Sequence, residues 1–521
     1  MYSNFATAIT AVLLGLAVCQ NGPIVFAQST TGRSSTTGAS DSIRVARGPN
    51  RLITGPLEDI DWSALRGRQV TLRHLIVVDT YSLIRHGQLT LARERLHIPT
   101  STIDPNDADP NGNTFEGGPN VAPVVARQKR NDAATIVIDD TTNQQDVFPP
   151  PLIPTLGTAT PTVRIGSMIP EVTGRVTIER GRPVLRVNRP LNLQPAPRPP
   201  RPDLGDNDWT IASFNVLNFF TTIDDGRNKA RGADSPSELT RQRDKIVAAM
   251  VALDADVIGL MELQNDDKSE IDLVSSLNRA IGDEIYVGCG RPAAMDQFPG
   301  GGDSIRVGMI YRRDRVRPVG PAGGIHDEAF ARARMPIVQT FLPINRRGRS
   351  KPNQAVTVIV NHFKSKGGAS SADVANKDRG DGQAAYNATR RDQALAIVNY
   401  IHAECAPDQA VLVIGDLNAY SQEDPIDALR AGGLIDLTEI DRDPNDSPHY
   451  SFIYYGQSGS LDHALATKPL AERVTAAKAW HINSDEPTAL DYNQEYNPPA
   501  LYQPDPYRSS DHDPLLIGIK N

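Results

Sequence analysis

The chain has 521 residues, 39% of them hydrophobic and 22% charged, with a formal net charge of -8. That is enough apolar material for a large core, the length suits two or three domains, and the acidic balance excludes a simple basic nucleic-acid binder. The charge is uneven: Asp41 to Arg201 holds about 20 Lys/Arg against about 16 Asp/Glu, so the rest of the chain carries an acidic excess. An acidic body still handles a polyanion where bound cations and a local basic surface offset its carboxylates.

The first residues read as a targeting segment. An apolar run from Ala11 to Val18 precedes polar residues and then IVFAQ, with Val25 and Ala27 as acceptable small-residue positions before a cut at about Gln28. No Lys or Arg precedes the run, so only the amino terminus is positive there. Cys19, after Leu16-Ala17-Val18, offers lipid modification as a second route, although Val18 is bulky for that position. The run is too short to span a membrane, and no other stretch is long and apolar enough. Residues 1–27 are expected to be a signal peptide and the mature protein to be secreted or periplasmic. Cleavage leaves Cys289 and Cys405, which fit one disulfide or two unrelated buried thiols. There is no CxxC or Cys/His spacing for zinc.

Residues 28–41, QSTTGRSSTTGASD, form a flexible leader. From 42 to 193, segments such as QVTLRHLIVVD, ATIVIDD and GRVTIERGRPVLRV alternate or run apolar and are broken by Gly and Pro. This predicts a small all-β domain without a helix. Within it, Asp107-x-Asp109-x-Asn111-Gly resembles half of a calcium loop, but Gly118 stands where the closing Glu belongs, and a solvated loop is expected. Residues 194–208, QPAPRPPRPDLGDND, read as a Pro-rich linker.

From 209 to 521 strands and helices alternate. WTIASFNV, ADVIGLME, RVGMIY, AVTVIVNHF, AVLVIGDLNA, LDHALAT and PLLIGI read as strands; ELTRQRDKIVAAMVAL, IDLVSSLNRAI and QAAYNATRRDQALAIVNYIHAE read as helices. Strands apolar along their whole length imply an α/β domain whose sheets are buried on both faces.

Several of these strands end in polar residues that a core does not need: Asn215, Glu262, Asn361 with His362 and Lys364, Asp416 with Asn418, and Asp462 with His463. Before the last strand stand Ser510, Asp511 and His512. Each has an ordinary alternative. Asn at a strand end forms turns, GDLN alone makes a type I turn, Lys364 and Lys366 suit solvent, and His463 faces away from Asp462 by strand alternation and reads as structural. Together they fit phosphodiester hydrolysis. Oxygen ligands suit Mg²⁺ or Mn²⁺, with Ca²⁺ as an additional ion, rather than zinc. One imidazole takes a proton from water, a second protonates the leaving group, and Asp462 or Asp511 orients the base. A serine hydrolase is disfavoured because no GxSxG elbow follows a strand, and no phosphate-binding Gly-rich loop is placed between strand and helix.

The ordered set FNVLNFF, LMELQND, VNHFKSKG, GDLNAY, SGSLDHAL and SSDHDPL resembles the endonuclease/exonuclease/phosphatase superfamily, and RGADSPSELTRQRDKIVAAMVALDADVIGLME with AKAWHINSDEPTALDYN resembles its large secreted bacterial nucleases. The resemblance covers about 300 residues from Trp209 onward. It implies a DNase I-like four-layer α/β sandwich, here preceded by an OB-fold-like β domain. By the same resemblance Asn215, Glu262 and Asp511 fall on metal-binding positions, Asp416 and Asn418 on a second-metal or phosphate pair, and His362 on a phosphate-contacting histidine. Asp462 and His512 fall on a carboxylate–histidine pair, and Arg306 and Lys364 on the substrate side. Gln264-Asn265 departs from the family's acidic-plus-Asn ending after the Glu. The implied substrate is DNA, possibly also RNA, with no obligate protein partner; a phospholipid or phosphomonoester hydrolase of the same fold is the alternative, and a non-catalytic nucleic-acid binder the third reading.

Overall fold

The computed structural model describes residues 51–106, 120–297, 303–344, 352–440 and 447–521. The segments read as signal peptide and leader, and most of the calcium-like loop, fall outside them. Among the described residues no helix is long and apolar enough to cross a membrane.

Beyond residue 208 the chain builds two six-stranded sheets. One runs in the order Tyr286–Gly288, Ile305–Arg312, Val257–Gln264, Trp209–Phe219, Leu515–Ile519, Val474–Ala479. The other runs Val316–Gly324, Ile337–Pro343, Val356–His362, Val411–Asp416, Asp462–Ala466, Ile435–Asp436. Their inner faces share one core, in which Ile211, Val257 and Met309 of the first sheet meet Val358, Val360 and Val413 of the second. The helices Pro236–Leu253 and Lys268–Ile281 pack outside the first sheet, through Ile246, Met250, Leu273 and Leu277. Asn387–Glu404 and Asp424–Ala431 pack outside the second, through Ala394, Ile397, Ile426 and Leu429. This is the four-layer α/β sandwich that the run of doubly buried strands implies. Each fully buried Val or Ile contributes about 1.5–3 kcal/mol relative to exposure, so the two central strands hold their register firmly.

That register positions polar ends. His362 is paired with Asp416 across parallel strands, and Asp416 with Asp462 across antiparallel ones, so three neighbouring strands deliver three polar residues in one row. Gly415 permits the approach. Its φ is +138°, and a Cβ there would lie 1.9 Å from the Asn361 carbonyl oxygen.

The N-terminal segment is built around the strands Gln69–Asp79, Gln88–Ala92, Thr135–Asp139, Arg182–Arg186 and Met168–Glu179, with the last pairing back to the first, so the five form a closed ring. A sixth strand, Arg51–Ile53, adds to one side. Against the expectation of no helix, Val121–Ala133 is helical. The reason is legible afterwards: only Val124 and Asn131 of this helix are buried, so it shows too little apolar periodicity to read. Residues 194–208 are also more than a spacer. Arg198 bonds Glu486, the Pro199 carbonyl accepts from Trp480 Nε1, Arg201 bonds the Leu253 carbonyl, and Leu204 is buried.

The N-terminal segment is welded to the sandwich. Its strand Leu96–His97 pairs in parallel with Gln457–Gly459, which in turn pairs with Phe452–Tyr454. Arg164, 2% exposed, pairs with Glu486 and Asp485 and donates to the His481 carbonyl at 2.9 Å. Removing one partner of a buried pair strands the other charge, so Arg164→Ala is expected to lower unfolding stability by about 3–5 kcal/mol, measured by urea titration. A loss below about 1 kcal/mol would show that this junction is not a stability element. Cys289 and Cys405 are unpaired thiols, so titration of denatured protein without reductant is expected to find both of them free.

Candidate active site

Strand ends from both sheets meet at one edge of the sandwich. Glu262, His362 and Asp416 bring one ligand atom each to within 4.8 Å of one another. His362 Nε2 lies 3.3 Å from Asp416 Oδ2 and 4.0 Å from Glu262 Oε1. Asn215 Nδ2 donates to both carboxylates, at 3.3 Å each. Two carboxylates held this closely repel unless positive charge intervenes, and oxygen-rich sets of this kind suit Mg²⁺ or Mn²⁺. The residues therefore fit a divalent ion.

Behind this group stands a second. His512 Nδ1 is 2.7 Å from Asp462 Oδ2, and Ser451 Oγ donates to the same oxygen at 2.6 Å. With Nδ1 occupied, His512 turns Nε2 toward Asp416 Oδ2, 3.9 Å away. Both imidazoles thus aim Nε2 at one carboxylate oxygen. Phe452 packs against the His512 ring at 4.7 Å between centroids and fixes its plane. Burial lowers the His512 pKa, but Asp462, Asp416 and Asp511 outweigh it and lift the imidazole well above its ordinary value. Burial raises the Asp416 carboxyl, and the His512 and His362 imidazoles with the Asn418 amide overcome that and hold it below the usual carboxylate range. Burial raises Asp462.

The backbone is unusual here. Leu217, Asn218, Glu262 and Asn418 all have positive φ, at 53°, 48°, 69° and 49°. Such conformations cost of order 1–3 kcal/mol each for ordinary residues and persist where the surroundings impose them. Their effect is visible: the Asn218 amide donates to Glu262 Oε2 at 2.8 Å, and the Asn418 amide to Asp416 Oδ1 at 2.9 Å. Both carboxylates are aimed by backbone donors.

The structure gathers Asn215, Glu262, His362, Asp416, Asn418, Asp462 and His512. It modifies three expectations. Asn215 faces the carboxylates with its amide nitrogen, while its oxygen accepts from the Leu217 amide, so it braces the cluster. Asp511 lies outside the Glu262–His362–Asp416 trio; its charge acts on His512. Arg306 is buried in an ion pair with Glu270 and donates from Nε to the Asp266 carbonyl, so it belongs to the scaffold and not to the substrate side. Arg334 is likewise buried, paired with Asp303 and bonded to the Phe363 carbonyl, but Asp416 and Glu262 of the cluster also act on it. Lys364 lies over the Tyr386 ring at 4.3 Å, with Arg334, Asp303 and Arg231 as neighbouring charges. His463 is structural as expected, bonded to the Ala419 carbonyl. Lys366 is buried against Glu423 and is not a solvated charge.

Sequence reasoning missed Arg334, Ser451, Asn218 and Phe452. Arg334 carries no local signal in ARARMPIVQTF that separates it from its neighbours, and Ser451 becomes meaningful only once the 450s hairpin folds over Asp462.

Residues 212–512 match the Endonuclease/Exonuclease/phosphatase family. No curated protein matches the chain. Similar solved structures include a protein of that family from Bacteroides thetaiotaomicron, 14% identical, covering 59% of this chain and 96% of the other with a TM-score of 0.36. Others are humanized D. rerio TDP2, at 14% identity, 60% and 99% coverage and a TM-score of 0.37, and a Bacteroides thetaiotaomicron mannosyl-6-phosphatase, at 14%, 60% and 100% and 0.36. Matched over more than half its length, this chain belongs to the endonuclease/exonuclease/phosphatase family, hydrolases of phosphoester bonds.

Proposed function

We propose that the protein is an exported nuclease that hydrolyses phosphodiester bonds of DNA, and possibly RNA, with Mg²⁺ or Mn²⁺. The observation that carries this reading is the convergence of two imidazole Nε2 atoms on Asp416 beside Glu262, with Asp462 behind one of them. A diester has a leaving group that needs a proton and a water that must lose one; two separately held imidazoles meet both needs. His512, fixed through Nδ1 by Asp462, accepts the proton of the attacking water at Nε2. His362 donates toward the departing oxygen. When bound, a divalent ion offsets charge on the phosphate oxygens. Glu262 and Asp416 would hold it, His362 keeping its proton for the leaving group, and Asn215 keeps the two carboxylates in place. Arg334 and Lys364 supply positive charge next to these acids, which an approaching polyanion requires.

The reading is tested with purified protein and Mn²⁺ on a panel of duplex DNA, RNA, sphingomyelin and a phosphate monoester. Cleavage of nucleic acid is expected. Intact DNA and RNA with cleavage of sphingomyelin or the monoester would overturn it in favour of a same-fold lipid or monoester hydrolase.

A further inference from the structure

The hairpin that carries Phe452 does more than brace His512. Its first strand, Phe452–Tyr454, runs away from the site, and its turn carries Tyr455 and Gly456. Strand alternation places Phe452 and Tyr454 on one face, about 6.8 Å apart. Phe452 covers the His512 ring, so Tyr454 is the next aromatic surface outward from the proposed base. Tyr454 is 40% exposed and Tyr455 67%. The two rings meet edge to face, 4.6 Å between centroids at 76°, which leaves ring faces open to solvent. Tyr81, 63% exposed, lies two residues beyond Asp79, against which Gly456 is packed. Gly456 thus seats the turn that carries Tyr455 against Val78 and Asp79 of the N-terminal segment.

This hairpin is held rigid. Its second strand pairs with Leu96–His97, Arg95 donates to Ser458 Oγ at 3.0 Å, and Asn131 bonds Gln457. Exposed aromatic rings on a fixed support lose little conformational freedom when something stacks on them.

We propose that Tyr454 and Tyr455 form a stacking platform for unpaired nucleobases flanking the scissile phosphate, which makes single-stranded nucleic acid the favoured substrate of this site. The inference rests on the nuclease reading above. Three features select the occupant. The platform is continuous with the site through Phe452, so whatever covers it is joined to the group being cut. It is aromatic with hydroxyl edges, which suits flat, polar-edged bases better than acyl chains. Bases inside a duplex hide their faces in the stack, whereas unpaired bases present them.

The test compares wild type with the Tyr454→Ala/Tyr455→Ala double variant and its Phe/Phe counterpart. Substrates are a single-stranded oligonucleotide, the duplex of the same sequence, and bis(p-nitrophenyl) phosphate, which is too small to reach the platform. For the single strand, KM of the Ala/Ala variant is expected to rise about 10- to 100-fold with kcat little changed. Phe/Phe is expected to restore it, and duplex KM and the small diester to stay near wild type. An unchanged single-strand KM, an equal rise for the duplex, or failure of Phe/Phe to rescue would overturn the platform alone. Wild type that hydrolyses the small diester but leaves both oligonucleotides intact would overturn the nuclease reading, and the platform with it. Where Ala/Ala also loses activity on the small diester, the single variant of the more exposed Tyr455 decides by the same criteria.

Discussion

His512→Ala is expected to lower kcat on a phosphodiester by about 10³-fold while leaving the thermal midpoint within a few degrees of wild type. A positioned acid or base contributes about 10²–10⁴-fold, and His512 combines three features that place it high in that range. It is buried, its Nδ1 is tied to Asp462 at 2.7 Å, and its Nε2 faces Asp416. Asp462→Asn removes the charge that selects the tautomer and is expected to cost at least 10²-fold. The double variant should fall little below His512→Ala alone, because Asp462 acts through His512. His362→Ala is expected to cost at least 10²-fold by a separate route, so its loss should combine with that of Asp462→Asn. The pH profile carries a further sign. The acids around His512 raise its pKa, so the free imidazole needed as a base becomes scarce below neutrality, and kcat/KM should climb with pH. A cation beside Asp416 draws that limb back toward neutral. Loss of the limb in His512→Ala assigns it; an unchanged limb would assign the base elsewhere.

Asp416→Asn is expected to abolish metal-dependent turnover, by 10³-fold or more, and with it the stability gained from the ion. Asp416 is the meeting point of the site: His362, His512 and Asn215 all lie within 4 Å of its Oδ2. An ion that binds the folded chain stabilises it, so wild type should gain thermal stability on addition of Mn²⁺, by about 2.7 kcal/mol at 100 times the dissociation constant. Asp416→Asn and Glu262→Gln should show little of that gain. The readout is a thermal-shift series against Mn²⁺ concentration, independent of turnover. Equal metal-induced shifts in wild type and both variants would locate the ion elsewhere.

Much of the catalytic half was legible from the chain because its physics is local to strands. Runs such as VTVIVNH and VLVIGD are apolar throughout and end abruptly in polar residues, and burial on both faces follows directly. The register that lines up His362, Asp416 and Asp462 was not legible, since it depends on pairing between strands about 50 residues apart. Roles that depend on a partner were read less well. Arg306 and Arg334 are both buried arginines; Glu270 of the helix Lys268–Ile281 holds the first, while Asp303 holds the second within the field of Asp416 and Glu262. Asn215 falls on a metal-binding position by resemblance; that its oxygen accepts from the Leu217 amide, held at positive φ, was not legible in the chain. The helix Val121–Ala133 escaped notice because a helix with two buried residues leaves almost no periodic trace. Nor did composition reveal that residues 194–208 are pinned, because the partners of that Pro-rich segment, Glu486, Trp480 and Leu253, lie far away in the chain.

This cluster is expected to cleave nucleic acid only with a divalent ion in place. Supercoiled plasmid incubated with the purified chain tests it most directly, first with Mg²⁺ or Mn²⁺, then with excess EDTA, then with the ion restored. Nicking that stops with the chelator and resumes with the ion, and that is absent in Asp416→Asn throughout, is the result expected. Nicking that persists in EDTA, or that survives in Asp416→Asn, would contradict it.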